Sequence, residues 1–342
     1  MNDKQWIQKA YAAWNNDSEQ RTLSSSGGMF SAFAEEAFLN NGVVYAITET
    51  DQGLIYQRAE NMDSVSQMHG SKYYQAKSYI IDLGAVYDDI KSDRMVLLFG
   101  TSCQIGMLRS LIHKKYKIIP DNVILIDIIC HGVGSQKSVE KYRKELEQKN
   151  GKLMKHTFRN KESGKQGSQV SEYTYDTGRK VRIDNENDYY MRLFSPGFFL
   201  RPSCYECKYA GMIKASDISI GDFNGASRII KEFPDSTCCV SSVIVNVEKG
   251  KDFLKRVIDD NLITIVPTEY IIIAEQNLPL LHPTKRPQVR KFAIKMINKY
   301  GIITTCRILG GKYYLRNAIK KIGGDNFLNA IKKMFGRTVI EH

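Results

Sequence analysis

No apolar run in the chain approaches the roughly 18 residues needed to span a bilayer. The opening stretch, MNDKQWIQKAYAAWNNDSEQ, has no secretory apolar segment. Both absences point to the cytosol, where thiols stay reduced. The seven cysteines then read as ligands, redox groups or core residues, not as disulfides. No cysteine precedes Cys103, and a single C-x-x-C pair, Cys204 and Cys207, stands alone. Neither G-x-G-x-x-G nor Walker A occurs, so a nucleotide must be held by another route. Internal repeats and low-complexity tracts are absent too. Net charge is scarce in the body of the chain. Residues 290–342 hold 12 Lys/Arg against two acids, Asp325 and Glu341, so +10 of the net +12 lies there. A nucleic-acid reading of the whole protein thereby loses its electrostatic footprint.

What is present is an ordinary globular composition, 42% apolar and 25% charged, over 342 residues. That length suits about two domains and buries a core without disulfide staples. The spacing of Trp6, Ile7, Ala10, Tyr11 and Trp14 predicts an amphipathic helix. SSSGG (24–28) runs into a second helical pattern that stops at Gly42. VVYAIT and LIYQRA alternate like strands about a DQG turn, and HGSKYY (69–74) is a loop. MVLLF (95–99) and NVILIDII (122–129) are apolar runs of the buried-strand kind, each followed by a turn and a helix. That order predicts a parallel βαβ unit, with ligands beyond the carboxyl ends of the strands. Farther on come a hairpin (SEYTYD and KVRID), an aromatic helix (DYYMRLF), strands in SDISIGDF and CCVSSVIVNV, and the helix KDFLKRVIDD. From about 288 the pattern is basic amphipathic helix, broken at Gly301, Gly310 and Gly323. The expected fold is α/β: a mixed sheet with a parallel βαβ core, flanking helices and a helical C-terminal tail. The expected organisation is a main domain over 1–250, a strand/helix extension over 251–287 and a basic tail over 288–342.

The lone C-x-x-C raises the question of its partners, since a four-thiolate site needs two more sulfurs. Cys103 and Cys130 each follow a strand of the βαβ unit and open a turn into a helix. A helix N-terminus favours thiolate, and the two should be neighbours at one sheet edge. With Cys204 and Cys207 they make a four-cysteine set that suits a [4Fe–4S] cluster or a structural zinc. Two singletons beside βα turns favour iron–sulfur, because structural zinc usually takes two short pairs. Cys238, Cys239 and Cys306 lie in apolar surroundings and read as structural. Ser24, Ser25, Ser26, Gly27 and Gly28 offer hydroxyls and N–H groups to an anion at a helix start, or simply cap that helix. Lys72, within Gly70, Ser71 and Tyr73, can meet a phosphate or a flavin ring, or be an exposed loop lysine. Asp222, between Gly221 and Phe223, can bind a ribose hydroxyl, carry a proton, or serve as a turn residue. His131 can donate a proton or hydrogen-bond to a cluster sulfur, or be structural.

Six ordered stretches, R-x-x-SSSGG, HGSKYYQA, LLFGTSCQIGMLRSL, DIICHGVGS, RPSCYECKYA and SDISIGDF, resemble the coenzyme F420 hydrogenase/dehydrogenase beta-subunit family over about residues 20–250. The resemblance implies a cytosolic iron–sulfur flavoprotein oxidoreductase that binds FAD without a Rossmann fingerprint. It carries the cluster ligands onto Cys103, Cys130, Cys204 and Cys207. It sets residues 24–28, 70–73 and 221–223 around the FAD, with the first loop's N–H groups toward the pyrophosphate and Lys72 nearer the flavin. Two departures stand out: Ser102 and Gly134 occupy positions where the family usually has proline. The N-terminal ferredoxin module of many relatives is missing, so electrons would arrive from a separate ferredoxin or reduced cofactor.

These readings give three functions to weigh. A reductase would pass electrons through a [4Fe–4S] cluster and FAD to a small-molecule or sugar-linked substrate, in surface polysaccharide biosynthesis by family analogy. Its proton donor would be His131, Lys72 or Asp222, in that order. A non-catalytic adaptor would keep a structural four-cysteine metal site and need no flavin. A nucleotide-sugar transferase would use the anion loop without redox cofactors. The basic tail reads as packed helices with solvated faces, or as a docking face for a protein partner or the inner membrane surface.

Overall fold

The computed structural model describes residues 8–50, 53–77, 80–161, 170–224, 226–231 and 239–309. The chain begins with β1 (Lys9–Asn15), α1 (Ser18–Leu23), α2 (Met29–Leu39), β2 (Val43–Thr50), β3 (Gly53–Ala59), α3 (Met62–Ser66), α4 (Leu83–Lys91), β4 (Val96–Thr101), α5 (Ser102–Tyr116) and β5 (Val123–Ile128). There follow α6 (Gln136–Asn150), β6 (Leu153–Thr157), β7 (Val170–Tyr175), β8 (Lys180–Asp184) and α7 (Tyr189–Phe194). Then come β9 (Ile218–Asp222), β10 (Ser241–Val245), α8 (Glu248–Asp259), β11 (Ile263–Thr268) and α9 (Tyr270–Gln276). Two units share this chain. One draws on 1–131, 158–168 and 206–284, the other on 132–157, 169–205 and 285–342.

The first unit is built on an eight-stranded sheet in the order β11-β1-β10-β9-β5-β4-β2-β3. Its centre, β2, β4, β5 and β9, is parallel, and antiparallel strands finish both sides. The apolar runs explain this centre, since strands covered on both faces need not alternate. Leu97, Phe99, Ile124 and Ile126 pack with α2 and α8, whereas Val96, Leu98, Val123 and Leu125 pack with α4 and α5. The expected α/β fold with a parallel βαβ core is the observed one.

One element differs in kind. Residues 9–15 form a strand, not the amphipathic helix, and pair with both β10 and β11. Ala10, Ala12 and Trp14 enter one core cluster while Ala13 and Tyr11 meet another. The alanines carry helix propensity, but two ladder partners and burial on both faces override it. Trp6 and Ile7 lie outside the described residues.

The second unit holds the three-stranded sheet β6-β7-β8, with α6, α7 and a helical stretch over 290–309. Its core is aromatic. The Tyr142 and Tyr190 rings stack at 5.8 Å, and Tyr190 meets Phe199 edge-on at 5.1 Å. Asp188, fully buried, caps α7 by accepting from the Met191 N–H at 2.8 Å and also accepts from the Tyr173 hydroxyl. The expected break at Gly301 is present as a φ of +86°. The helix restarts there because Glu145 accepts the Ile302 N–H at 2.8 Å, as an N-cap would. Gly310, Gly323 and the rest of the tail lie outside the described residues, as does Cys238. No helix among the described residues is long and apolar enough to cross a membrane.

Candidate cofactor site

The register of the parallel centre fixes the first two cysteines. Thr101 of β4 stands opposite Ile128 of β5, so Cys103 and Cys130 each lie two residues beyond the same rung. Cys103 is exposed in the first turn of α5, and Cys130 is half-buried. The turn beneath Cys103 is held tightly. The Thr101 hydroxyl lies 3.3 Å from the Cys103 sulfur, and Gln104 Oε1 accepts from the Thr101 N–H at 2.8 Å to complete a capping box. Ser102 occupies the first helical position, which proline also suits. Its hydroxyl donates to Asp127 Oδ2, and the Ser216 hydroxyl donates to Asp127 Oδ1 at 2.7 Å. The fully buried Asn246 then donates to Ser216 and Ser219 at 3.0 Å each. A buried polar network therefore fixes the turn where a proline ring would otherwise do so.

The loop after the C-x-x-C is seated on α5. The Tyr209 ring fills the space at Gly106, where any Cβ would overlap it. Arg109 donates to the Ala215 carbonyl at 3.0 Å, and Lys214 to the Tyr209 carbonyl at 3.0 Å. Cys207 thus belongs to a segment pinned one turn along the helix that Cys103 opens. Cys204 lies in the second unit, in a short 3-10 turn over 202–206. There Arg286 and Arg290 lie over the Tyr205 ring at 5.3 and 5.0 Å, and Arg290 donates to the Leu200 carbonyl at 2.8 Å. A Cβ at Gly132 would stand 3.3 Å from that of Cys204.

None of the four residues lies in the core, and their thiols are the donor chemistry that a thiolate-ligated group needs. Among the described residues no three His, Cys, Asp or Glu side chains gather as a ready cation cage. Cys239 and Cys306 are buried, as structural cysteines should be, and burial pushes the Cys306 thiol up to about 11.

The three stretches expected around a flavin are linked by a segment that the sequence does not advertise, Phe158–Arg159–Asn160–Lys161. Phe158 meets the Tyr73 ring at 5.2 Å. Arg159 pairs with Asp222 at 2.5 Å. Lys161 donates to the Arg21 carbonyl at 2.8 Å and the Ser26 carbonyl at 2.5 Å. Arg159 and Lys161 are only 9% and 7% exposed. Burial opposes the Arg159 charge, but the Asp222 carboxylate and the Tyr73 phenol oppose burial and hold its pKa above the ordinary value. Burial lowers the Lys161 pKa, an effect that the Cys239 sulfur offsets in part. Two cations buried beside a Ser-Gly loop form an anion-seeking environment.

The loop itself is close-packed. A Cβ at Gly27 would stand 2.7 Å from the Ala13 carbonyl oxygen and from the Ser241 nitrogen, and Gly28 begins α2 with φ +87°. The Gly27 N–H is already donated to Ser241 Oγ at 2.9 Å, and the Ser24 N–H to the Arg21 carbonyl at 3.3 Å. The Ser25 hydroxyl, by contrast, is buried without a hydrogen-bond partner among the described residues, the mark of a ligand-facing group.

The remaining sequence candidates are placed less openly. The Lys72 ammonium donates to the carbonyls of Met68 (2.8 Å), His69 (2.9 Å) and Gly70 (3.1 Å), tying its own loop together. Ser71 lies in that loop. Phe223 is packed in the core with Ala12 and Trp14, and Gly221 lies against Ile129. The His131 carbonyl accepts from the Thr284 hydroxyl, and its Nδ1 lies 3.3 Å from that oxygen. Arg159 and Lys161 escape sequence reasoning because cations in a hairpin-rich stretch look solvent-facing; only the fold buries them.

Comparison with known proteins bears on this site. A family model that describes the C terminus of the coenzyme F420 hydrogenase/dehydrogenase beta subunit matches residues 93–270. A chain of the F420-reducing [NiFe] hydrogenase complex from Methanosarcina barkeri, studied by xenon derivatization, is similar with a TM-score of 0.53 at 17% identity, over 86% of this chain and 89% of that one. At that identity the likeness speaks for the fold alone. No curated protein matches the chain.

Proposed function

The chain belongs to the coenzyme F420 hydrogenase/dehydrogenase beta-subunit family, and on that basis we propose that it is a cytosolic iron–sulfur flavoprotein oxidoreductase. Cys103, Cys130, Cys204 and Cys207 are its cluster ligands, and residues 24–28, 70–73 and 221–223 are its FAD-binding stretches. The observation that carries the reading is the Phe158–Lys161 segment, which ties Tyr73, Asp222 and Ser26 to one buried cationic patch. When bound, the [4Fe–4S] cluster supplies one-electron storage and the FAD hydride-equivalent transfer. The chain's own part is to hold and orient. Arg159 and Lys161 offset the charge of a pyrophosphate, and Ser25 offers a hydroxyl donor to it. Thr101 and Ser102 fix the turn under Cys103. His131 is the proton donor best placed in sequence, beside Cys130. Lys72 acts on its loop rather than as an acid, since three carbonyls already engage its ammonium. Electrons come from a separate ferredoxin or reduced cofactor, and the substrate is a small or sugar-linked molecule. The basic tail is a docking face for a protein partner or an anionic membrane surface.

The test is purification without oxygen, an absorption spectrum, and assays of iron, sulfide, zinc and flavin. Iron with sulfide plus one flavin per chain supports the proposal. A colourless protein with one zinc and no flavin refutes it and supports an adaptor with a structural metal site. Cys103→Ser should abolish iron binding and Cys306→Ser should not; equal loss from both would overturn the ligand assignment.

A further inference from the structure

Up to the break at Gly301, the helix that opens at Arg290 reads RKFAIKMINKY. Residues four apart are neighbours along a helix, so this stretch lays out stripes side by side. Ala293 and Ile297 form the buried stripe, 0% and 1% exposed. Phe292, Met296 and Tyr300 form the next, and Lys291, Lys295 and Lys299 the one beyond it. All three lysines are exposed. Phe292 and Tyr300 keep 50% and 47% of their surface open, and Met296 is half-buried. The two outer stripes meet where the Lys299 ammonium lies 4.9 Å from the centre of the Tyr300 ring.

The helix is held in this orientation from within its own unit. Lys141 of α6 donates to the Asn298 carbonyl, and Glu145 of the same helix accepts the Ile302 N–H at 2.8 Å. Arg290 is engaged with the Leu200 carbonyl, so the outward cations of this stretch are all lysine. No Asp or Glu occurs among residues 290–309, and residues 310–342 add seven Lys/Arg against two acids. Protein interfaces are depleted in lysine and favour arginine and aromatic anchors seated in pockets. A row of lysines one turn apart, with no acid to set a register, instead complements a surface that is evenly negative. Aromatic and thioether groups beside it, with lysine stems that lie along them, are the chemistry of a helix in the plane of a lipid interface.

We propose that the Lys291–Tyr300 face docks on an anionic lipid bilayer. The helix axis lies along the surface, with Phe292, Met296 and Tyr300 at the acyl boundary and the three ammonium groups among the lipid phosphates. The inference rests on the docking reading of the basic tail and is independent of the iron–sulfur reading.

The experiment sediments the full-length protein with vesicles of phosphatidylcholine and phosphatidylglycerol in equal parts, and with vesicles of phosphatidylcholine alone. Wild type should bind the first, release as salt is raised, and ignore the second. Lys291→Gln, Lys295→Gln and Lys299→Gln together should weaken binding about a hundredfold, at about fivefold per lysine near an anionic surface. The same three positions changed to Arg should bind as wild type does. Phe292→Ser should lose about tenfold, the share of a half-exposed ring. Lys114→Gln, Lys115→Gln and Lys117→Gln together remove the same charge from exposed positions at the end of α5 and should leave binding near wild type. Equal loss from both glutamine triples overturns the proposal, because the attraction is then diffuse. Equal loss from the arginine triple overturns it as well, because charge is then not what the surface reads. A Lys291, Lys295 and Lys299 glutamine triple that binds like wild type puts the contact elsewhere in the chain and also overturns it. Failure to sediment with either vesicle overturns it and leaves the face to a protein partner. Iron and flavin per chain should be the same in every variant. A chain with neither that still binds the anionic vesicles refutes the iron–sulfur reading and supports this one.

Discussion

Glu36 gives the sharpest test of the electrostatics around the helix that leads from the Ser-Gly loop. It lies in α2, is 0% exposed, and accepts from Asn40 Nδ2 at 2.9 Å. Burial, then the neighbouring Asp260 carboxyl, push its pKa from 4.5 up to about 7, against a smaller pull from Arg256. Between those two values the native state keeps a proton that the unfolded chain has released. Stability therefore falls as pH rises through that window and stays lowered above it. At about 1.4 kcal/mol per factor of ten, ionised Glu36 costs the fold roughly 3 kcal/mol at pH 8. Glu36→Gln keeps the shape and cannot ionise. It should match wild type near pH 4.5 and gain on it steadily up to pH 8. With an unfolding entropy of about 2 cal/mol/K per residue, the gain corresponds to about 4 °C in melting temperature. Differential scanning calorimetry of both proteins from pH 4.5 to 8.5 measures it. A difference that stays flat across that range, or that favours wild type at pH 8, would refute the reasoning.

Other outcomes follow from the site and the second unit. Lys161→Met removes the donor from the Arg21 and Ser26 carbonyls and should release flavin from the purified protein, as read by absorbance and fluorescence of the filtrate. Lys161→Arg should retain more of it. Asp127→Asn leaves one of two hydroxyl donors, Ser102 or Ser216, facing an amide N–H₂ instead of a carboxylate; a loss of roughly 2–3 kcal/mol should appear in the urea midpoint. Gly301→Ala places a methyl on a φ of +86° and against the Glu145 carboxylate, and should cost more than about 1 kcal/mol despite alanine's better helix propensity, measured by circular dichroism melts.

How far the sequence could be read depended on whether a signal was local. The runs MVLLF and NVILIDII state burial on both faces, and a strand-turn-helix order after each leaves a parallel pair as the economical solution. From that alone Cys103 and Cys130 could be set at one edge, and the Thr101–Ile128 rung bears it out. Residues 9–15 misled for the opposite reason. Their alanines satisfy a helix pattern as well as a strand pattern, and the choice is made by β10 and β11, which lie more than 200 residues away in the chain. The Phe158–Lys161 segment was silent in the same sense, since nothing within it indicates that Arg159 meets Asp222 or that Lys161 meets Ser26. Cysteines and glycines announce a site because few other roles suit their spacing. The groups that set the charge around it, Arg159 and Lys161, are common residues in uncommon places, and the fold is what makes them uncommon.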